Sequence, residues 1–205
     1  LDDAIAGAER AFRDTRAIPR HQRAALLSQV AAALAAQKSD LSRLMATEAG
    51  KPLQFAAGEV DRAVATFTVA AEEAKRLSGE WLPTDWTPAG EGYLAVTKRV
   101  PLGPIAAFAP FNFPLNLVAH KIAPCLASGN TMVLKPPPQA PLTALRLGRI
   151  LVEAGMPPVC FHSCVGRIRS FGVILYDWDR IQEAALSEEQ DLVRAHRDII
   201  LDPFD

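Results

Sequence analysis

The sequence has 205 residues, of which 49% are hydrophobic and 22% charged, the composition of a soluble globular protein with a core. The sequence has 22 Lys and Arg residues and 23 Asp and Glu residues, a formal net charge of -1. A charge so close to zero predicts no nucleic-acid, anionic-membrane or acidic partner. No apolar run reaches the roughly 18 to 20 residues that span a bilayer. Three Cys, an odd number, and the lack of a basic-then-apolar leader predict free thiols and a cytoplasmic or organelle-matrix protein.

Residues 1–79 are expected to form an N-terminal layer of three or four helices. Their apolar residues recur at the spacing of an amphipathic helix, as at Leu26, Val30 and Leu34. The stretch "EAGKP" (48–52) supplies a Gly and a Pro that end one helix and begin the next.

Residues 80–104 are expected to form a linker and a β-rich segment. In "WLPTDWTPAGEG" (81–92) Pro and Gly recur at turn spacing without a helical period. The following "YLAVTKRVPLG" (93–103) alternates and is rich in strand-forming residues, which predicts a strand.

Residues 105–166 alternate regularly between apolar and helical segments. Strands are expected at 105–109, 131–135 and 159–165, with helices at 115–127 and 142–154. This β-α-β-α-β order predicts a parallel sheet with right-handed crossovers, and its uniformly apolar strands predict burial on both faces. The fold class is therefore α/β: a helical layer followed by the first half of a Rossmann-like domain.

Residues 167–205 break this rhythm and read as a divergent tail. Within it, Ser187 and Gln190 have the spacing of a capping box ahead of a predicted helix.

Two polar residues follow predicted strands at the sheet edge where open α/β sheets bind ligands. Asn112 follows the first strand and can donate a hydrogen bond, or it can serve as a turn residue that bonds its own backbone. Lys135 ends the second strand, where its cation suits a ribose hydroxyl or a phosphate, or it is a solvated strand-end Lys. Lys121, on the first helix of this unit, can equally be a surface residue.

The sequence "CFHSC" places Cys160, His162 and Cys164 on one face of a predicted strand. Zinc knuckles use a Cys-x-x-Cys turn and a second ligand pair, which the sequence lacks, so we expect no metal here. Cys125 is expected to be a core residue. The phosphate loops Gly-x-Gly-x-x-Gly and Gly-x-x-x-x-Gly-Lys-Ser/Thr are absent, as is the nucleophile elbow Gly-x-Ser-x-Gly.

One long run carries a family resemblance. Residues 100–158, "VPLGPIAAFAPFNFPLNLVAHKIAPCLASGNTMVLKPPPQAPLTALRLGRILVEAGMPP", resemble the aldehyde dehydrogenase superfamily, and the upstream "EAGKP" and "GEVDRA" match its N-terminal helices. The resemblance covers residues 1–166, and the combination of "PFNFP", "GN" and "LKP" is highly specific. Within the superfamily the sequence looks most like the glyceraldehyde-3-phosphate or lactaldehyde dehydrogenase branch.

The resemblance implies oxidation of an aldehyde to a carboxylic acid with NAD or NADP. In the family an Asn at the position of Asn112 stabilises the oxyanion formed when a Cys attacks the aldehyde. The thiohemiacetal gives hydride to NAD(P)+, and the thioester is hydrolysed. By the same resemblance, Lys121 belongs to a proton relay and Lys135 contacts the adenosine ribose.

Further roles come from the same resemblance. Phe113 and Leu117 would line the substrate tunnel. Pro138 stands where NAD-preferring members have a Glu that repels a 2′-phosphate, so the resemblance leaves both NAD and NADP open as the cofactor. Family members form dimers or tetramers, which implies a homo-oligomer in the intact enzyme. The backbone that would line the cofactor cleft is that of Phe108, Ala109, Pro110 and Phe111.

The sequence departs from the family downstream. The nucleophile context Gly-Gln-x-Cys and the general-base context Glu-Leu-Gly-Gly do not occur in the 205 residues, and "RIRSFGVILYDWD" replaces the Phe-Thr-Gly-Ser turn. We therefore expect an N-terminal fragment that is inactive alone. Two alternatives remain: an interaction or regulatory protein that pairs with a full-length dehydrogenase, and a nucleotide-binding module without chemistry.

Overall fold

Four helices form the N-terminal part of the chain: α1 (Asp2–Thr15), α2 (Arg20–Ala36), α3 (Lys38–Ala49) and α4 (Leu53–Arg76). This is a computed structural model, and it describes residues 2–155. The apolar face predicted for α2 is largely confirmed, since Val30 and Leu34 are fully buried while Leu26 is half-buried. That face packs against α4, the longest helix of the described part. No helix within residues 2–155 combines the length and apolarity that crossing a membrane requires.

The predicted break between α3 and α4 is confirmed. Gly50 follows the last residue of α3 with φ of 63°, a left-handed conformation that only Gly adopts without strain. Pro52 then precedes the first residue of α4. This short turn places Lys51 between the two helices.

The segment after α4 contains less strand than its sequence predicts. Strands β1 (Trp81–Leu82) and β2 (Ala95–Val96) form a two-residue antiparallel ladder, with a short 3-10 turn (Pro88–Gly90) between them. The Thr97 N–H still donates to Glu80 O, but residues 97–103 join no ladder within the described part of the chain. Alternating side chains alone do not make a strand when no partner strand lies alongside.

The α/β unit follows the predicted order. It consists of β3 (Pro104–Phe108), α5 (Asn116–Ala127), β4 (Thr131–Lys135) and α6 (Pro141–Glu153). Strands β3 and β4 are parallel, with Pro104 opposite Thr131 and Phe108 opposite Lys135. The third predicted strand, residues 159–165, and the capping box of the tail lie outside the described residues.

The expectation that both faces of the strands are buried is wrong for β3. Strand β4 is mostly buried, whereas β3 exposes Pro104, Ala106 and Phe108. Helix α1 contacts both strands, and the buried hydroxyl of Thr131 donates to Ala8 O at 2.9 Å. Within residues 2–155 no further strand or helix covers the exposed side of β3.

The turn from α5 to β4 is tied to the segment before β3. Asn130 is buried; its Oδ1 accepts from the Gly103 N–H at 2.9 Å, and its Nδ2 donates to Ser128 Oγ at 2.7 Å. Gly129 has φ of 79° and lies against the guanidinium of Arg23. Burial, and then the charge of Arg20, lowers the pKa of Arg23 below its ordinary value.

Gly129→Ala should destabilise the chain more than Gly50→Ala. Both substitutions impose left-handed strain of about 1–2 kcal/mol. Only the Gly129 methyl group would also meet packed atoms, with Arg23 Nη1 2.2 Å and Pro101 Cγ 3.2 Å from the added carbon, whereas nothing lies within 4 Å at Gly50. Urea unfolding of the two variants measures the difference, and equal losses would show that Arg23 moves aside at no cost.

Candidate functional site

The carboxyl ends of β3 and β4 lie side by side. Phe108 pairs with Lys135 at the last position of the ladder, and the Ala109 N–H donates to Lys135 O at 3.1 Å. Phe108 and Lys135 are both exposed, and Lys135 forms no ion pair within residues 2–155. This edge therefore offers a flat aromatic surface and an unpaired cation to a ligand.

Asn112 lies in the bend between β3 and α5. Its side-chain amide is exposed and makes no hydrogen bond to the described protein, so the alternative of a turn residue that bonds its own backbone is not observed. Its backbone oxygen accepts a long hydrogen bond of 3.5 Å from Lys51 Nζ. The backbone of Asn112 is thus held from the helical layer, while its side chain is available to donate.

A pocket of about 520 Å³ opens beside Asn112. Its wall is made by the α3–α4 turn, the first turns of α4 and the bend before α5. The lining residues are Lys51, Pro52, Gln54, Phe55, Gly58, Glu59, Arg62, Asn112 and Phe113. The pocket is therefore lined by the side-chain amide of Asn112 together with the cationic side chains of Lys51 and Arg62.

The ring of Phe113 contacts both of those cations. Lys51 Nζ lies 4.1 Å from the centre of the Phe113 ring, and Arg62 Cζ lies 5.1 Å from it. Such contacts contribute about 0.5–1 kcal/mol each when exposed and more when desolvated. The guanidinium of Arg62 pairs with no carboxylate in the described part of the chain, so it remains available to an anion.

Glu59 connects the pocket to α5. Its side chain is fully buried, and its Oε1 accepts from the N–H groups of Leu115 and Asn116, each at 2.9 Å. Its Oε2 accepts from Lys51 Nζ. The carboxylate therefore caps the first turn of α5, where free N–H groups and the helix dipole favour a negative charge, and it pairs with a cation at the same time.

Glu48 caps α6 in the same way. Its carboxylate accepts from the N–H of Leu142, and its Oε2 accepts from Thr143 N at 2.9 Å and Thr143 Oγ1 at 2.6 Å. The N-termini of α5 and α6 are thus both filled by carboxylates from the helical layer. Helix N-termini commonly bind phosphate, but these two are already occupied by protein anions.

One buried polar group near the pocket has no partner. Asn116 is fully buried, its Nδ2 makes no hydrogen bond, and its Oδ1 lies 3.5 Å from Thr66 Oγ1. Nothing in the described part of the chain explains the unpaired amide nitrogen.

The other expected site residues are distributed around this centre. Leu117 and Lys121 lie half-buried on α5 and do not line the pocket. Pro110, Phe111 and Pro138 are exposed near the sheet edge. The structure thus brings Asn112 and Phe113 into one pocket and Phe108 and Lys135 to one edge.

Of the three cysteines, only Cys125 lies within the described residues. Cys125 is buried in α5 with 4% of its surface exposed, as expected of a core residue. Cys160, His162 and Cys164 lie outside the described residues. Within residues 2–155 no three His, Cys, Asp or Glu side chains cluster in a way that would hold a metal ion.

Four residues of the site were not singled out from the sequence: Glu48, Lys51, Glu59 and Arg62. The signal for Glu59 was nonetheless present, because the helical spacing of α4 puts this carboxylate on the apolar face with Ala56, Val60 and Ala63. A charged residue on a buried face requires a partner. The partner itself could not be read from the pattern, since Leu115 lies 56 residues further along the chain.

Fold and site together define a helical layer joined to a small parallel α/β unit, with a polar pocket beside the bend that follows its first strand. The chain belongs to the aldehyde dehydrogenase family, whose model matches residues 1–187. The match runs past Gly166, where the resemblance seen in the sequence ends.

Individual relatives agree with this assignment. The chain is 41% identical over 157 residues to 3-sulfolactaldehyde dehydrogenase of Priestia aryabhattai, covering 77% of the chain and 32% of that enzyme. The crystal structure of aldehyde dehydrogenase 21 from Physcomitrella patens, in complex with the reaction product succinate, superposes with a TM-score of 0.75 at 42% identity, covering 78% and 33% of the two chains.

A third relative was solved with a cofactor. Glyceraldehyde-3-phosphate dehydrogenase GapN of Methanocaldococcus jannaschii, complexed with NADP, has a TM-score of 0.72 at 34% identity, covering 80% of this chain and 37% of that one. The chain thus spans about a third of the length of the relatives it matches.

Proposed function

We propose that this chain supplies the oxyanion donor and part of the cofactor cleft of an NAD(P)-dependent enzyme that oxidises an anionic aldehyde to a carboxylic acid. The observation that carries the proposal is the pocket that joins the unbonded amide of Asn112 to the cations Lys51 and Arg62. In this proposal residues 1–79 support the site, residues 80–104 link them to the sheet, residues 105–166 begin the cofactor domain, and residues 167–205 are a divergent tail.

Asn112 acts on the charge that develops during the reaction. When a thiolate attacks the aldehyde carbon, the carbonyl oxygen becomes negative, and a preorganised amide N–H stabilises it more in the transition state than in the ground state. The amide is free for this purpose because it bonds no group in the described protein. Phe113, whose ring contacts both cations, forms the adjoining wall.

The residues at the sheet edge fit a dinucleotide. Lys135, which pairs with no carboxylate among residues 2–155, offers its ammonium beside the exposed Phe108 and the backbone of Ala109, and this suits hydroxyl or phosphate oxygens. Pro138 is exposed and carries no carboxylate, so nothing at that position repels a 2′-phosphate. The bound cofactor would accept the hydride. Its phosphates would lie away from the N-termini of α5 and α6, which Glu59 and Glu48 occupy.

Arg62 is proposed to recognise the negative group of the substrate. Its guanidinium has no carboxylate partner among residues 2–155 and lines the same pocket as Asn112. Arg binds carboxylate, phosphate and sulfonate oxygens through its planar fork of donors. The reported relatives are named for 3-sulfolactaldehyde and glyceraldehyde-3-phosphate, or hold succinate, and all three molecules are anionic.

A hybrid enzyme tests the proposed function. The match covers 32% of the Priestia aryabhattai enzyme. In the hybrid, residues 1–155 of this chain replace that matched part, and the remaining two thirds come from the Priestia aryabhattai enzyme. The hybrid should form NADPH from NADP+ when an anionic aldehyde is added. A folded hybrid that binds NADP+ but oxidises no aldehyde would contradict the proposal.

Arg62→Ala in this hybrid should raise KM for succinic semialdehyde at least about tenfold. A hydrogen bond to a charged group contributes about 1.5–3 kcal/mol, and 1.4 kcal/mol corresponds to a factor of ten. The KM for butanal, which has the same chain length without the carboxylate, should change less than about twofold. Arg43→Ala is the matched control because Arg43 is exposed on α3, outside the pocket. Equal losses for both aldehydes would remove Arg62 from anion recognition.

The alternative role is that of an interaction protein that pairs with a full-length dehydrogenase. It is favoured by the exposed side of β3, and within residues 2–155 β3 pairs with no strand other than β4. Unpaired strand edges readily recruit another chain. Size-exclusion chromatography of the 205-residue chain with a full-length relative distinguishes the two roles. A stable mixed complex would support the interaction role, and aggregation of the isolated chain would count against it.

A further inference from the structure

We infer that Glu59 and Lys51 are positioning residues that fix the bend carrying Asn112, an inference that rests on the proposed role of Asn112 as oxyanion donor. The bend between β3 and α5, residues 109–115, has no regular secondary structure of its own. An oxyanion donor must nevertheless be held within a few tenths of an ångström of its working position. The position of Asn112 therefore has to be imposed from outside the bend.

Glu59 supplies the fixed point. Its carboxylate is fully buried on α4, and its two oxygens have different partners. Oε1 accepts from the N–H groups of Leu115 and Asn116, so the far end of the bend is anchored where α5 begins. Oε2 accepts from Lys51 Nζ, so the same carboxylate also fixes the ammonium.

Lys51 fixes the near end of the bend through contacts with Asn112 and Phe113. Its side chain is only 13% exposed, and its Nζ contacts Asn112 O at 3.5 Å and the ring of Phe113 at 4.1 Å from the centre. An ammonium group has three donors in a tetrahedral arrangement, so one cation can serve the carboxylate, the carbonyl and the ring face together. Asn112 and Phe113 are thereby held between two fixed points, Lys51 and the start of α5.

Glu48 provides an internal comparison. It caps α6 as Glu59 caps α5, through backbone N–H groups at the first turn. Among residues 2–155 its carboxylate pairs with no Lys, and it does not line the pocket. Loss of Glu48 therefore removes a helix cap from the same α/β unit without touching the bend, which separates a general loss of stability from a specific loss of positioning.

The test measures backbone 15N order parameters at Asn112 and Phe113 in the full 205-residue chain. Lys51→Met keeps roughly the length of the side chain, removes its charge and leaves the cap of α5 intact. Glu59→Gln keeps an oxygen that can cap α5, but its NH2 group replaces the oxygen that accepts from Lys51 Nζ. In both variants the order parameters should fall from about 0.85 to below about 0.6. Glu48→Gln should leave these two residues unchanged even though it lowers the melting temperature.

Two results would overturn the inference. One is unchanged order parameters at Asn112 and Phe113 in a folded Lys51→Met chain, and the other is an equal fall in Glu48→Gln. If Glu59→Gln fails to fold, Lys51→Met alone decides. The measurement involves no aldehyde. A rigid bend in Lys51→Met would therefore reject the inference that Lys51 and Glu59 position Asn112, without bearing on the proposed function. In the hybrid enzyme, an Asn112 variant with normal turnover rejects the proposed role of Asn112 instead.

Discussion

The purified 205-residue chain should form no NAD(P)H from any aldehyde above the uncatalysed rate. The family's nucleophile context, Gly-Gln-x-Cys, does not occur in its sequence, and Cys125 is buried in α5. Loss of the nucleophile in an enzyme that acts through a covalent intermediate costs roughly 10⁶ in kcat, or about 8 kcal/mol of barrier. One oxyanion donor contributes only about 2.7–4 kcal/mol, so Asn112 cannot offset that loss.

The measurement is absorbance at 340 nm with NAD+ or NADP+ and a panel of anionic and neutral aldehydes. The hybrid enzyme described above is the positive control, since it shares residues 1–155 with the chain and adds the missing motifs. Turnover by the isolated chain that thiol alkylation abolishes would contradict the expectation. It would also assign the nucleophile to one of three residues, and Ser substitutions at Cys125, Cys160 and Cys164 would identify which.

The sequence predicted those parts of the fold that depend on neighbouring residues. Strand β4 lies where "TMVLK" predicts it, and β3 is displaced by one residue from the predicted 105–109. Both are short apolar runs bounded by Gly or Pro, so their limits are set locally. The turn at Gly50 was predictable for the same reason, because a left-handed residue requires Gly.

The parts that depend on distant residues were not predicted. The β-rich stretch after Tyr93 yields only Ala95–Val96 as strand, because a strand needs a partner that the sequence pattern does not supply. The cap of α5 comes from Glu59 and the cap of α6 from Glu48, across 56 and 94 residues of chain. Helix N-termini without local caps, as at Leu115 and Ala140, indicate that such a distant partner is required.

The candidate site divides in the same way. Asn112 and Lys135 were identified because each follows an apolar strand, and parallel strands bring their carboxyl ends together. Lys51 and Arg62 were not identified, since they come from the helical layer and reach the pocket only through the packing of α4 against α5. Asn112 could thus be predicted from the local sequence that follows β3, whereas the charged residues Lys51 and Arg62 come close to it only in the tertiary structure.

Asn112→Ala in the hybrid enzyme should lower kcat by roughly 10²–10³ and change KM by less than about threefold. In the proposed role the amide stabilises negative charge that is present in the transition state and largely absent from the bound aldehyde, so its loss should appear in the chemical step. Steady-state kinetics with succinic semialdehyde measure both constants. Gln54→Ala is the matched control, because Gln54 also lines the pocket with a side-chain amide but bonds no part of the bend.

Comparison of Asn112→Ala with Gln54→Ala distinguishes a loss of oxyanion stabilisation from a general change in the shape of the pocket. If Asn112→Ala and Gln54→Ala reduce kcat equally, the loss reflects a general change in the pocket, and Asn112 is not an oxyanion donor. If Asn112→Ala raises KM with kcat unchanged, the amide binds the ground-state aldehyde instead. A large fall in kcat in Asn112→Ala, a smaller fall in Lys51→Met and no fall in Gln54→Ala would place Asn112 at the reacting oxygen. Lys51 would then act through Asn112, because it contacts the backbone of Asn112 and not its amide.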